Sequence, residues 1–164
     1  MKKLPKIAFT GPECSGKTTL AKWLSLQWDC DWSSEYARQY LATKKKYEYS
    51  DLDIIAQGQY NSNLLYPIAD TEMLVMEIWS KVKFFTVSEK INRLIQKQTF
   101  DFYFLCKPDF RWEEDPLREN PNDREQLFKL YVQRIKELNW PHKILEGSLV
   151  ERQRMVVEKL EKLF

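Results

Sequence analysis

Glycine is scarce in this chain: four residues in 164, Gly11, Gly16, Gly58 and Gly147. That excludes flexible Gly-rich linkers and low-complexity tracts. Histidine is scarcer still. His142 stands alone, so neither a His-rich zinc site nor paired-histidine chemistry is available; it follows Pro141 at the start of an expected strand and reads as structural. Cys14, Cys30 and Cys106 show no C-x-x-C or Cys/His spacing. They read as free thiols of a reducing, cytoplasmic setting. No apolar run is long enough to span a bilayer. Met1-Lys2-Lys3-Leu4-Pro5 leads straight into an apolar run, so no secretory leader is expected. Charge of either sign is not in excess: 26 basic and 24 acidic residues give a net +2. Bulk electrostatics therefore point to neither a nucleic-acid nor a membrane partner, and Lys44-Lys45-Lys46 reads as a solvated loop. Chemistry here is left to carboxylates, lysine, arginine and a metal.

What is present is a chain 43% hydrophobic and 30% charged, the make-up of one globular domain over residues 1–164 with its own core. Two of the four glycines fall in Gly11-Pro12-Glu13-Cys14-Ser15-Gly16-Lys17-Thr18, which fits G-x-x-x-x-G-K-[ST], the phosphate-wrapping P-loop. Inward-facing backbone N–H groups form an anion site. Lys17 is expected to reach the β- and γ-phosphates of ATP, and the Thr18 hydroxyl to ligate Mg²⁺. The flanks agree: Lys6–Thr10 is β-prone, and Leu20, Trp23, Leu24 and Trp28 recur at helical spacing. The competing reading is a glycine turn capping an ordinary helix. Cys14 sits inside the loop, where oxidation would block nucleotide binding.

Further along, strand-like and helical segments alternate, as in a parallel sheet. The pattern predicts strands near Lys6–Thr10, Cys30–Ser34, Tyr66–Ala69, Phe100–Cys106 and Lys143–Glu146. Helices are expected over Lys17–Trp28, Glu35–Leu41, from Ser50 toward Leu64, from Met73 through Trp79, over Val87–Lys97, from Asp123 to Leu138 and over Leu149–Leu163. Ser50 is expected as an N-cap, with Asp53 completing a capping box. Pro67 suits only the first residue of a strand or an edge. Residues 107–122, charged and punctuated by Pro108, Pro116 and Pro121, have the composition of a lid.

Ligands of open α/β sheets bind at the carboxyl ends of the strands. Behind the second strand lie Glu35, Tyr36 and Arg38. Glu35 and Arg38 are i,i+3 neighbours on a helix, and Glu35 is placed to accept a hydroxyl proton or hold a ribose hydroxyl; the alternative is a surface ion pair over a tyrosine stripe. Asp70 follows an apolar strand as a Mg²⁺-binding acid does, and Glu72 is expected to face the acceptor; a helix N-cap at Asp70 or Thr71 competes. Of the lid arginines, Arg111 and Arg118 are better placed than Arg124 to stabilise a transferring phosphoryl group. Tyr36, Trp79 and Trp112 lie on the acceptor side, while Trp23, Trp28, Trp32 and Trp140 read as packing residues.

Taken in order, G-P-E-C-S-G-K-T-T-L, E-Y-A-R-Q-Y, Y-S-D-L-D-I-I-A-Q-G-Q, A-D-T-E and P-D-F-R-W-E-E-D-P-L-R-E-N-P-N-D-R resemble the ribosylnicotinamide kinase domain of NadR-type proteins. The resemblance runs from about Ile7 to the last helix. It implies an α/β, three-layer P-loop kinase fold with a five-stranded parallel sheet in 2-3-1-4-5 order. It implies transfer of the ATP γ-phosphate to the 5′-hydroxyl of nicotinamide riboside, a small nucleoside-like substrate, in NAD salvage. It assigns Gly11 to Thr19, including Ser15, Gly16 and Thr19, to the ATP phosphates, and Asp70 to the metal and acceptor site. Glu35 and Arg38 then fall on the substrate side and Arg111 to Arg124 in the lid. Ser34 stands where some members have tryptophan, and 164 residues leave no room for the helix-turn-helix and adenylyltransferase domains such proteins can carry. Two other readings stay open: a P-loop kinase for another nucleoside or small alcohol, and a non-catalytic module that closes on a partner when nucleotide binds.

Overall fold

The computed structural model describes residues 3–164. Met1 and Lys2, the start of the segment expected to lead into the first strand, lie outside them. Five strands form one parallel sheet: β1 (Ile7–Thr10), β2 (Trp32–Ser33), β3 (Ile68–Asp70), β4 (Phe102–Cys106) and β5 (His142–Leu145), in the order β2-β3-β1-β4-β5. β1, β3 and β4 are buried at every residue, because helices cover both faces. Alternation along the strands divides the core. Ile7, Phe9, Phe102 and Phe104 face α1 (Lys17–Trp28) and α7 (Leu149–Leu163). Ala8, Tyr103 and Leu105 face α4 (Met73–Phe84) and α6 (Arg124–Glu137). A third cluster joins α4 to α2 (Tyr36–Leu41), α3 (Tyr49–Leu65) and α5 (Glu89–Lys97). Trp23, Trp28 and Trp32 pack on the first cluster and Trp140 on the other two.

Several expected boundaries move for local reasons. β3 is an interior strand, yet Pro67 does no harm. It lies just before the strand, where its carbonyl accepts from the Ile7 amide at 2.8 Å and its missing N–H is not called on. The cap of α3 falls two residues earlier than expected. Glu48, not Ser50, is the N-cap, and Asp51, not Asp53, completes the box by accepting from the Glu48 amide at 2.8 Å. α7 carries the same device in Ser148 and Glu151. α5 starts at Glu89 because Ser88 caps it, and Glu35 is the N-cap residue of α2 rather than its first turn. Asp123 precedes α6 without a side-chain cap bond. Residues 107–123, between β4 and α6, hold no helix or strand. Among the described residues no helix is long and apolar enough to cross a membrane.

Candidate active site

The loop after β1 is held by contacts only glycine permits. Gly11 has φ 132°, and a Cβ there would lie 2.6 Å from the Cys106 carbonyl; Gly16 has φ 86°, and a Cβ would lie 2.7 Å from the Phe110 ring. From Gly16 the chain enters α1, so a helix N-terminus points at the loop's concave side. Lys17 folds back, donating from Nζ to the Gly11 and Pro12 carbonyls at 2.8 and 2.7 Å. Thr18 Oγ1 donates to Asp70 Oδ2 at 2.6 Å.

Asp70 ends β3, paired with Phe9 across the strands, and its side chain is buried behind Thr18 rather than lining the cavity. Burial, with the nearby Glu35 charge, pushes its carboxyl up to about 6 against the partial relief from Lys17 and Thr18. Its Oδ1 is buried with no hydrogen-bond partner. A hydroxyl and a carboxylate with an unfilled lone pair suit Mg²⁺, which keeps most of its waters and takes only one or two protein oxygens beside phosphates. Groups of three or more His, Cys, Asp or Glu suited to a metal are absent among the described residues.

A cavity of about 330 Å³ opens over the loop. Gly11–Thr19 form one end. The other end is walled by Glu35 and Arg38 of α2, by Val75, Ile78, Trp79 and Lys83 of α4, and by Leu127 and Tyr131 of α6. Leu117, Arg118, Glu119 and Asn120 of the 107–123 connection close over it. Arg38 Nε pairs with Glu35 at 3.0 Å and its Nη1 with Asp115 of the connection at 2.8 Å. Arg118 Nη1 donates to the Glu113 carbonyl at 2.7 Å.

The predicted site residues divide. The loop, Glu35, Arg38, Arg118 and Trp79 meet at the cavity, and Asp70 touches it through Thr18. Tyr36 does not. Its ring stacks on Tyr40, with centroids 6.4 Å apart, and lies against Gly58 of α3. Glu72 is fully buried and outside the cavity lining: it caps α4 through the Leu74 amide at 2.8 Å and accepts from Thr10 and Gln98 at 2.5 and 2.7 Å. The capping role expected at Asp70 or Thr71 thus falls to Glu72, while Thr71 takes φ 83°. Trp112 stands outside the cavity lining, its indole N–H on Glu114 and its ring under the Arg124 guanidinium at 5.5 Å. Arg111 is exposed and outside the lining; its carbonyl accepts from the Cys14 thiol at 3.3 Å. Arg124 fastens the connection to the loop, donating to the Cys14 and Phe110 carbonyls at 3.2 and 2.9 Å.

Two supporting residues escaped the sequence reading. Gln59, 1% exposed, accepts from the Tyr36 amide at 2.8 Å and donates to the Ser34 carbonyl at 3.2 Å. It thereby brackets Glu35. Arg152, 0% exposed, donates to the carbonyls of Ser15, Lys107 and Gly147 at 2.8–2.9 Å and to Asp109 at 3.2 Å. It ties the loop to the ends of β4 and β5. Each is a polar residue inside an apolar helical stripe: Leu52, Ile55 and Ala56 before Gln59, and Val156 and Leu160 after Arg152. That placement was the readable signal.

A parallel sheet in this order, with a G-x-x-x-x-G-K-T loop closing its first strand, defines the P-loop kinase fold. The family model for an AAA domain matches residues 6–152, and the chain belongs to that family. Over 149 residues it is 27% identical to the trifunctional NAD biosynthesis/regulator protein NadR of Salmonella typhimurium, covering 81% of this chain and 36% of that protein. The chain thus spans about a third of that relative's length. A crystal structure of a NadR protein in complex with NR superposes with a TM-score of 0.84 at 17% identity, covering 98% of this chain and 50% of that one. Deoxyadenosine kinase from M. mycoides superposes at 0.69 with 18% identity, over 96% of this chain and 99% of that one.

Proposed function

We propose that the protein is an ATP-dependent kinase of a nucleoside-like acceptor, with nicotinamide riboside the best-supported substrate. The observation that carries this is the single cavity running from the P-loop to a half-apolar, half-polar chamber headed by Glu35 and Arg38. A phosphate donor and a flat, hydroxylated acceptor can meet there out of bulk water. The likeness to NadR, including a structure holding NR, supports the choice of acceptor.

The residues divide the work. The amides of Gly11–Thr19 hold the triphosphate, and Lys17 leaves the Gly11 and Pro12 carbonyls to reach the outer phosphates. Glu35 takes the proton of the acceptor hydroxyl as that oxygen bonds to the γ-phosphorus and the bond to ADP breaks. Residues 107–122 act as the lid; Arg118, at its inner face, counters charge on the moving phosphoryl group. Thr18 and Asp70 are the residues that would hold Mg²⁺, whose charge screens the phosphates.

A second reading changes only the acceptor. The end-to-end likeness to deoxyadenosine kinase favours a deoxynucleoside. ADP release with Mg·ATP and nicotinamide riboside, beside a no-acceptor control and a panel of ribosides and deoxyribosides, decides between them. Stimulation by nicotinamide riboside alone is expected. Stimulation only by a deoxynucleoside moves the assignment to the second reading. Nucleotide binding without stimulation by any acceptor overturns the kinase reading and favours a nucleotide-dependent binding module.

A further inference from the structure

Glu13 belongs to the phosphate loop by sequence, yet its side chain serves the lid. Its carboxylate accepts from the backbone amide of Glu119 at 3.0 and 3.2 Å, from that of Asn120 at 3.0 Å, and from the Asn120 side chain at 3.4 Å. Two successive amides converging on one anion form a fixed, charge-assisted contact. It joins segments 106 residues apart. The residues it pins adjoin Arg118, and Leu117 to Asn120 all line the cavity.

The contact continues to the acceptor wall. The Glu119 carboxylate accepts from the Tyr47 hydroxyl at 2.6 Å and pairs with Lys83 at 3.5 Å, and the Trp79 indole N–H donates to the same Tyr47 oxygen at 2.9 Å. Trp79 and Lys83 line the cavity. One backbone position, Glu119, is therefore held by the phosphate loop through its amide and by the acceptor wall through its side chain.

We propose that Glu13 is a positioning residue for phosphoryl transfer: it latches the lid onto the phosphate loop, sets Arg118 over the cavity and keeps water from the γ-phosphate. This rests on the kinase reading above. Arg118 without Glu13 stands on a strip with one anchor fewer, so the two side chains act as one unit and their losses do not multiply. A lid that closes poorly also lets water compete with the acceptor.

The experiment combines amide hydrogen exchange with kinetics on the full chain: wild type, Glu13→Ala, Glu13→Gln, Arg118→Ala and the Glu13→Ala/Arg118→Ala double variant. Thermal melting checks that each is folded. The amides of Glu119 and Asn120 should exchange about tenfold faster in Glu13→Ala. Turnover should fall about tenfold, more than KM for ATP rises, with a larger share of ADP made without acceptor. Glu13→Gln, which keeps a carbonyl acceptor, should recover part of both losses. The double variant should be no slower than Arg118→Ala. Unchanged exchange at 119 and 120, or a double variant slower by the product of the single losses, overturns the proposal. Faster exchange in a protein that phosphorylates neither ribosides nor deoxyribosides supports the latch and sinks the kinase reading instead.

Discussion

Asp70 is asked to be charged where charge is costly. It ends a strand that is buried on both sides, and its carboxyl is pushed up to about 6 from an ordinary 3.8 by that burial and by Glu35. Folded protein therefore holds the Asp70 proton more tightly than unfolded chain does. Between roughly pH 4 and 6 this group's contribution to stability falls as pH rises, and above that range it stays low. Asp70→Asn removes the buried charge. In metal-free buffer at pH 8 it should raise the melting temperature, by the equivalent of about 3 kcal/mol at most, while Mg²⁺-dependent turnover is lost. A melt that drops instead would show that Lys17 and Thr18 together stabilise the ionised carboxylate by more than its burial costs. Lys17 is the complementary case. Its ammonium now satisfies two loop carbonyls, so Lys17→Ala removes a brace together with the phosphate contact proposed for it. Turnover should fall by about a thousandfold or more, read in the same ADP-release assay, with the melt changing far less.

The helices divide into those that carry groups and those that hold the carriers. α2 offers Arg38, and Glu35 at its N-cap, from a helix of six residues, too short to hold its own direction. α3 supplies that hold. Gln59 satisfies the free Tyr36 amide, and the Tyr36 ring lies where a Cβ on Gly58 would come within 2.3 Å. Gly58→Ala sets two effects against each other: helix propensity gains about 1 kcal/mol, and overpacking against an aromatic ring costs about 1–3. Packing should win. The variant is expected to melt lower and to show a raised KM for acceptor with KM for ATP nearly unchanged, because the ring that must move adjoins Glu35. A melt above wild type would mean that the ring has room to swing away.

What was legible in the sequence follows from this division. The phosphate loop is written in eight consecutive residues, so Gly11 to Thr18 could be placed from sequence, although Cys106, Phe110 and Arg152 brace it from elsewhere. Asp70 and Glu35 could be placed because strand ends point one way in a parallel sheet. Glu72 could not. Two residues past a strand, a carboxylate can face a ligand or cap the next helix, and the choice depends on Thr10 and Gln98, 62 and 26 residues away. Trp112 and Tyr36 were aromatic near a site, but their rings answer to Arg124 and Gly58. Arg118 and Arg111 looked alike in composition; only the path of residues 107–123 separates them.

The sheet order sets what every part of the protein must share. β1 lies between β3 and β4, so the loop at its end touches both neighbours, and Arg152 reaches it from the last helix. Three carbonyls and a partly exposed carboxylate converge on that one buried guanidinium, which also stacks 4.4 Å from the Phe110 ring. Arg152→Met keeps much of the volume and removes every donor. It should cost about 3 kcal/mol, read by denaturant melts. KM for ATP should rise along with it, since Ser15 loses its anchor. A destabilised variant with unchanged KM for ATP would confine Arg152 to folding.

The same guanidinium orders events during synthesis. The ribosome releases β1 and the phosphate loop well before α7. Until α7 docks, the Ser15 carbonyl has no Arg152, and the roots of the lid at Lys107 and Asp109 have none either. A nascent chain stalled before residue 152 carries the complete phosphate-loop sequence but not its fastening. That fastening of the loop is thus made only after Arg152 of α7 has emerged, 137 residues of synthesis behind Ser15.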